Sequence, residues 1–367
     1  MRTIDDIRAI CYLSAEENVP LVQRFLSLPG RDLFPCAGEA ALGARLNGLK
    51  SSGLRSKDVL VLAPFRGRFF QKCPGSPGMI CCNYRLVNTC FDCLYNCAYC
   101  FLSSYLNAFG IVQFTNIHDV IAEITEKLDS SGGMMYRVGT GEFTDSLMMD
   151  HVTGIAASLI GAMKGRPDIL LEFKTKSDNV GHLLGIPEKG RAVLAWSLNT
   201  ARNIALFEED TASLDRRLDA AARACDAGYY LAFHFDPIIR YPGFLDDYRG
   251  VLDRLYRAVD PGRILWISLG CFRYAPGFKE IMREKFPDET LTLEEMFQGP
   301  DGKFRYLKKH REAAYAFMLG EIRGRGGNPF VYLCMETADM WHRVFGLRYD
   351  ASSELERDFS EHLKNTV

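Results

Sequence analysis

Three cysteines carry the most distinctive chemical pattern in the chain. Cys93, Cys97 and Cys100, in Cys-Leu-Tyr-Asn-Cys-Ala-Tyr-Cys, stand at spacings of four and three. One short loop can therefore wrap their thiolates around a 4Fe–4S cubane, whose irons prefer sulfur ligands. Three protein ligands leave one iron open, as a cluster that binds a small molecule requires; a purely electron-carrying cluster is usually held by four cysteines. The competing use is a zinc site, with Cys90 or His118 as fourth ligand, although zinc patterns come as paired two-ligand knuckles rather than a triplet.

Other reactive side chains sit at the ends of apolar runs. Gly139-Thr140-Gly141-Glu142 combines glycines that permit close backbone approach with a carboxylate suited to an ammonium group. Taken alone such a motif is more often a turn. Lys176 and Ser197 end two further runs, where a lone lysine is more often a solvated rim charge. His234 and Asp236 are two apart, so they share one face of a strand, either as a satisfied structural pair or as an acid/base pair. Lys303, Arg305, Lys308, Lys309 and Arg311 interleave with Phe304 and Tyr306, a mixture that suits phosphates and stacked bases but also describes a solvated basic turn. Cys73, Cys81, Cys82 and Cys90 raise the idea of a second cluster, against which their irregular spacing favours buried free thiols.

These groups need elements to hold them. Six β-rich runs, 84–90, 134–140, 169–176, 191–199, 229–239 and 264–272, alternate with helical patterns, which reads as a parallel sheet. One helix has clear ends: Ser213 as N-cap, a stripe of Leu214, Leu218, Ala221, Ala222 and Cys225, and Gly228 in the closing turn. Six β/α units predict an α/β fold, a partial (β/α)6 TIM-type barrel, with reactive groups gathered at the carboxyl ends of its strands. Residues 1–82 form an N-terminal extension with its own strand at 58–64. The barrel spans 83–290, and 291–367 forms a C-terminal α/β segment with a basic hairpin and a strand at 329–335.

Bulk properties narrow the class. Lys plus Arg total 44 against 46 Asp plus Glu, so the whole-molecule field cannot draw in a polyanion and any nucleic-acid site must be local. Hydrophobic residues at 47% and charged residues at 25% match an ordinary globular protein. Acidic residues near the N-terminus and the lack of a long apolar run predict a cytoplasmic protein without a membrane anchor. Seven of the 12 cysteines fall between Cys73 and Cys100, which points to metal rather than disulfides.

The triplet spacing, with an aromatic before its last cysteine, resembles the radical S-adenosylmethionine superfamily. The resemblance implies that S-adenosylmethionine (AdoMet) chelates the open iron and is cleaved reductively to a 5′-deoxyadenosyl radical. It implies that Tyr99 contacts the adenine, that Glu142 binds the methionine ammonium, and that an electron donor such as a flavodoxin or ferredoxin feeds the cluster. A closer resemblance, covering about Lys72 to about Trp341, is to the spore photoproduct lyase family. It rests on CNYRLVNTC with the cysteine loop, GTGEFTDSLMMDHVT, Lys-Thr-Lys, Ser-Leu-Asn, FHFDPII, SLGCFRY, DGKFRYLKK and VYLCMET.

This family repairs a thymine dimer in spore DNA by radical chemistry. The resemblance implies AdoMet contacts at Thr144, Lys176 and Ser197, and a strand-opening wedge around Arg305 and Tyr306. Two positions depart from the pattern. Glu142 stands where the family has its hydrogen-donor cysteine, and Phe101 where it has a tyrosine, and neither a carboxylate nor a phenyl ring can hand hydrogen to a carbon radical. The expectation is a radical enzyme acting on DNA or another nucleic acid, with His234, Asp236, Arg273, Lys303, Arg305 and Tyr306 toward substrate and Cys271 as replacement donor. Radical chemistry on a peptide or small metabolite, and a non-catalytic zinc-stabilised nucleic-acid-binding protein, are the alternatives.

Overall fold

Apolar runs too short for helices, separated by amphipathic helices, become a parallel sheet in the computed structural model, which describes residues 1–106, 108–132 and 135–367. β1 (Arg85–Val87), β2 (Tyr136–Gly139), β3 (Ile169–Thr175), β4 (Ala192–Ser197), β5 (Tyr230–Ile238) and β6 (Ile264–Cys271) lie side by side in chain order, all parallel. Met134, the expected start of the second strand, lies outside the described residues. Two further strands complete a curled half-barrel of eight: β7 (Phe330–Leu333) runs parallel beside β6, and Phe70–Lys72 runs antiparallel outside β1. The central strands are buried almost end to end, as a parallel sheet covered on both faces demands.

The helix Leu214–Asp226 shows how the local sequence builds the layers. The Ser213 hydroxyl accepts the Arg216 N–H at 3.4 Å, and Gly228 takes a positive φ of 87° in the closing turn. Leu214, Leu218 and Ala221 are buried as the spacing predicts, and so are Ala220, Ala224 and the whole of Arg217. That buried arginine has no place in an apolar stripe, and its reason lies in the site.

The N-terminal extension builds its own five-stranded sheet, in the order Asp32–Cys36, Ala9–Leu13, Val59–Ala63, Ile111–Phe114, Cys90–Phe91. The last two strands come from within 83–290, so this sheet straddles the expected boundary. β7 likewise carries the barrel sheet into the C-terminal segment. One continuous apolar core runs from Ile4 to Leu363.

The C-terminal helix Ser352–Lys364 packs at the amino-end side of the barrel strands. Phe359 stacks on Phe330 with centroids 4.1 Å apart, and the Arg137 guanidinium lies 3.8 Å from the Phe359 ring centre. The open side of the half-barrel is crossed by the segment before β1. Ile80 N–H donates to the Glu336 carbonyl at 2.9 Å, Cys81 N–H to Ser352 Oγ at 2.9 Å, and Asn83 Nδ2 to Glu356 at 2.5 Å. Among the described residues no helix is long and apolar enough to cross a membrane.

Candidate functional site

The carboxyl ends of the strands open into one cavity of about 410 Å³. Its wall after β1 is the cysteine loop. Asn96–Cys97 pairs antiparallel with Glu208–Glu209, Ala98 N–H donates to the Phe207 carbonyl at 2.8 Å, and Asn96 Nδ2 reaches Glu209 at 2.6 Å. Pinned this way, the loop turns Cys93, Cys97 and Cys100 into the cavity together.

Two lysines from distant segments flank these thiols. Lys57 Nζ donates to Asp92 at 2.8 Å and to the Cys93 carbonyl at 2.5 Å. Lys176 Nζ lies 3.0 Å from the Tyr99 hydroxyl and 4.0 Å from Cys97 Sγ. Burial pushes the Cys97 thiol up to about 12, with Lys176 pulling against it. Any metal bound by this thiol would therefore displace its proton.

Three thiols turned into one cavity by a single loop fit the donor set that a cubane with one open iron would need. Among the described residues no three or more His, Cys, Asp or Glu side chains are arranged to hold one metal ion. A lone ion needs its ligands to converge on a point, whereas a cubane spreads its thiolates over separate irons. The zinc reading's fourth ligands lie elsewhere. The Cys90 thiol points to the backbone carbonyls of Phe91 and Asp92 at 3.6 and 3.9 Å beside a small adjoining cavity, and His118 pairs with Asp119 on an exposed helix face.

The Gly139–Asp145 loop forms the next wall. A side chain on Gly139 would meet the Tyr84 hydroxyl at 1.5 Å, so that glycine is required by packing, and one on Gly141 would press on the Ser146 hydroxyl at 2.9 Å and the Lys174 carbonyl at 3.0 Å. Asp145 ties the loop to β3 by accepting the Thr175 hydroxyl and the Lys176 N–H, each at 2.7 Å. Glu142, Thr144, Lys176, Ser197 and Tyr99 all line the cavity. The Tyr99 hydroxyl donates to Glu208, which pairs with fully buried Arg217 at 2.6 Å. Burial would raise the Glu208 carboxyl, but Arg217, Lys176 and Tyr99 hold it down at about 2. Arg217 also caps the Ser197 carbonyl at 2.8 Å, which explains a charge on the buried helix face.

Deeper in, His234 bridges Ser268 at 2.7 Å and Glu172 at 2.6 Å, and Glu172 also accepts Tyr84 and Trp266. Burial pushes Glu172 up, but His234, Lys174 and Tyr84 outweigh it and hold it at about 2. His234 and Asp236 share the cavity face as expected, yet not as partners. Asp236 instead takes Arg273 in a two-pronged pair at 3.0 and 3.2 Å. Lys303 lines the same side, its pKa lowered by burial and by Arg273.

Three expected residues are not at the cavity. Cys271 is 2% exposed and faces away from it, because side chains alternate along β6 and the cavity takes Ser268 and Phe272. Arg305 is 3% exposed and is locked to Asp301, with Glu336 at 3.9 Å. Tyr306 is 1% exposed and its hydroxyl accepts the Arg240 N–H at 3.2 Å. The wedge assigned to Arg305 and Tyr306 is thus a packed strand, Phe304–Tyr306, inside a three-stranded sheet. Of the four extra cysteines, Cys73, Cys81 and Cys82 line the cavity and Cys90 does not. Sequence reasoning missed Lys57, Asp145, Glu172, Lys174, Glu208, Arg217 and Cys334. The flanking Lys-Thr-Lys and Cys-Met-Glu-Thr segments signalled only Lys174 and Cys334.

Comparison with known proteins supports the fold and identifies the family. The chain is 29% identical over 232 residues to a spore photoproduct lyase of a Geobacillus species, covering 60% of this chain and 67% of that protein. Against the Bacillus subtilis spore photoproduct lyase it is 26% identical over 207 residues, 55% and 60% of the two chains. A solved spore photoproduct lyase mutant with dinucleoside spore photoproduct superposes with a TM-score of 0.76 at 22% identity, covering 89% of this chain and 98% of that one. A second mutant, with bound AdoMet and the same dinucleoside, gives 0.74 at 22% identity over 90% and 99%. The family model for spore photoproduct lyase matches residues 82–317, and the chain belongs to the spore photoproduct lyase family of radical S-adenosylmethionine enzymes.

Proposed function

We propose that Cys93, Cys97 and Cys100 hold a 4Fe–4S cluster and that this lyase-type enzyme acts on a damaged or modified base in nucleic acid. When bound, the cluster and AdoMet together supply a 5′-deoxyadenosyl radical that takes hydrogen from an unreactive carbon. The chain's residues do the positioning. Lys57 and Lys176 set two positive charges beside three thiols that become thiolates on loading, which offsets their mutual repulsion. The Glu142 carboxylate suits the AdoMet ammonium, Lys176 its carboxylate, and the Tyr99 ring its adenine, with Thr144 and Ser197 as polar contacts. His234, Asp236, Arg273 and Lys303 line the remaining wall and offer donors and acceptors to a base edge. A base must leave its stack to enter such a recess.

The observation that carries this reading is that the three cysteines, all five AdoMet candidates and these four substrate candidates share one cavity. Anaerobic reconstitution with iron and sulfide tests it. The expected product is a brown protein with about four irons per chain that forms 5′-deoxyadenosine from AdoMet and dithionite, the latter replacing a flavodoxin or ferredoxin. A colourless zinc protein that forms none would overturn it.

The paired hairpin favours a second reading. With Arg305, Lys308 and Arg311 all ion-paired, the same chemistry would act on a peptide or small metabolite. DNA titration across salt decides between the two: a steep salt slope supports nucleic acid, and no binding at low salt supports the smaller substrate.

A further inference from the structure

Replacement of the family's hydrogen-donor cysteine by Glu142 leaves a carbon radical in this cavity with no obvious source of hydrogen. A donor must be a thiol, still protonated, exposed to the cavity and beside the groups that face the substrate. The cysteines sort cleanly by position. Cys11 and Cys36 lie in the N-terminal sheet, Cys90 and Cys271 are buried away from the cavity, and Cys225 is on an outer helix. Only Cys73, Cys81, Cys82 and Cys334 join the triplet in lining the cavity.

The first three are occupied with one another on the segment before β1. The Cys81 thiol contacts those of Cys73 and Cys82, and Cys82 faces Arg137. Cys334 differs. It follows β7 directly, is half-buried, and has its sulfur 3.5 Å from Arg273 Nη2 and against the Asp236 carboxylate. The Arg273–Asp236 pair thus ties the thiol to the wall assigned to substrate. Burial and the neighbouring Asp236 charge also keep the sulfur as S–H despite Arg273.

We infer that Cys334 is the thiol that closes the substrate radical, an assignment that rests on the radical reading of the cavity proposed above. The product carbon radical takes a hydrogen atom from the Cys334 S–H: the S–H bond breaks, a C–H bond forms, and a thiyl radical remains on sulfur. One electron from the flavodoxin- or ferredoxin-class reductant and one proton from solvent restore the thiol. Phe101 has no phenol through which hydrogen could return to 5′-deoxyadenosine, so one AdoMet is consumed per product.

The dinucleoside spore photoproduct in deuterium oxide is the probe, with 5′-deoxyadenosine and product deuterium measured together. The wild-type enzyme should form the two products one to one and place one deuterium in the repaired dinucleoside. Cys334→Ser should still form 5′-deoxyadenosine, while deuterated product falls at least tenfold; Cys271→Ala should behave as wild type. Unchanged deuterium uptake by Cys334→Ser would overturn the donor assignment alone. Absence of 5′-deoxyadenosine from the wild-type enzyme would sink the radical reading itself. Independently of turnover, maleimide should label Cys334 faster than Cys271 in the folded cofactor-free protein, and the reverse order would also overturn the assignment.

Discussion

The cysteine loop and the basic hairpin are two short segments that each place several like reactive groups within about ten residues, and the fold treats them oppositely. In the loop, every thiol is turned into a shared cavity and the charges that flank it come from elsewhere, Lys57 from the extension and Lys176 from the end of β3. In the hairpin, the charges are turned inward or neutralised: Arg305 by Asp301 and Glu336, Arg311 by Glu336, Lys308 by Asp339. A run of one residue type shows what a segment could contribute. Whether it does depends on partners brought in by topology.

Mutations on the two sides should therefore differ in kind. Cys97→Ala should have the largest effect, with reconstituted iron falling from about four per chain towards zero and no 5′-deoxyadenosine formed; retained iron would break the contrast on the loop side. Arg305→Ala should come next, but as a folding defect. It strands Asp301 without its partner, while Glu336 keeps Arg311 and Tyr315, and should cost about 3 kcal/mol in denaturant unfolding. A soluble variant of wild-type stability that had lost DNA binding would instead restore the hairpin as a contact surface.

Lys176→Ala should lower 5′-deoxyadenosine formation by about 10–100-fold, the worth of one charge-assisted contact, while stability changes less than in Arg305→Ala. Glu172 has its pKa depressed from 4.5 to about 2, so its pairing with His234 stabilises the fold above about pH 4.5 and that contribution is lost as pH falls towards 2. Glu172→Gln should flatten that stretch of the pH–stability curve. The smallest effect belongs to Lys308→Ala with Lys309→Ala. These exposed residues should change stability by under about 1 kcal/mol, and reduce the salt slope of DNA binding by at most about 2.

The same contrast explains what was legible beforehand. Period and punctuation placed all six barrel strands and both ends of the helix Leu214–Asp226, because those signals are local. That Cys93, Cys97 and Cys100 act as a group was legible for the same reason, since three thiols that one loop turns into one cavity are a local pattern. Arg217 was not, because a buried arginine is justified only by Glu208 and the Ser197 carbonyl, which its own helix does not contain. Cys271 stands at a strand end, but alternation along β6 turns it away from the cavity, while Cys334, just past the end of neighbouring β7, lines it. Arg305 failed likewise: its partner Asp301 is four residues away, but Glu336 lies beyond the next helix.

The tie between Ile80 and Glu336, reinforced by Cys81 to Ser352 and Asn83 to Glu356, joins parts of the chain more than 250 residues apart. During synthesis the thiol triplet is therefore made long before the strap that spans the gap has anything to fasten to. Until the final helix arrives, the chamber is a trough open to solvent and oxidants. On the cluster reading, an oxygen-sensitive group is safest inserted once the helix Ser352–Lys364 is in place, and deleting that helix would open the cavity without touching Cys93, Cys97 or Cys100.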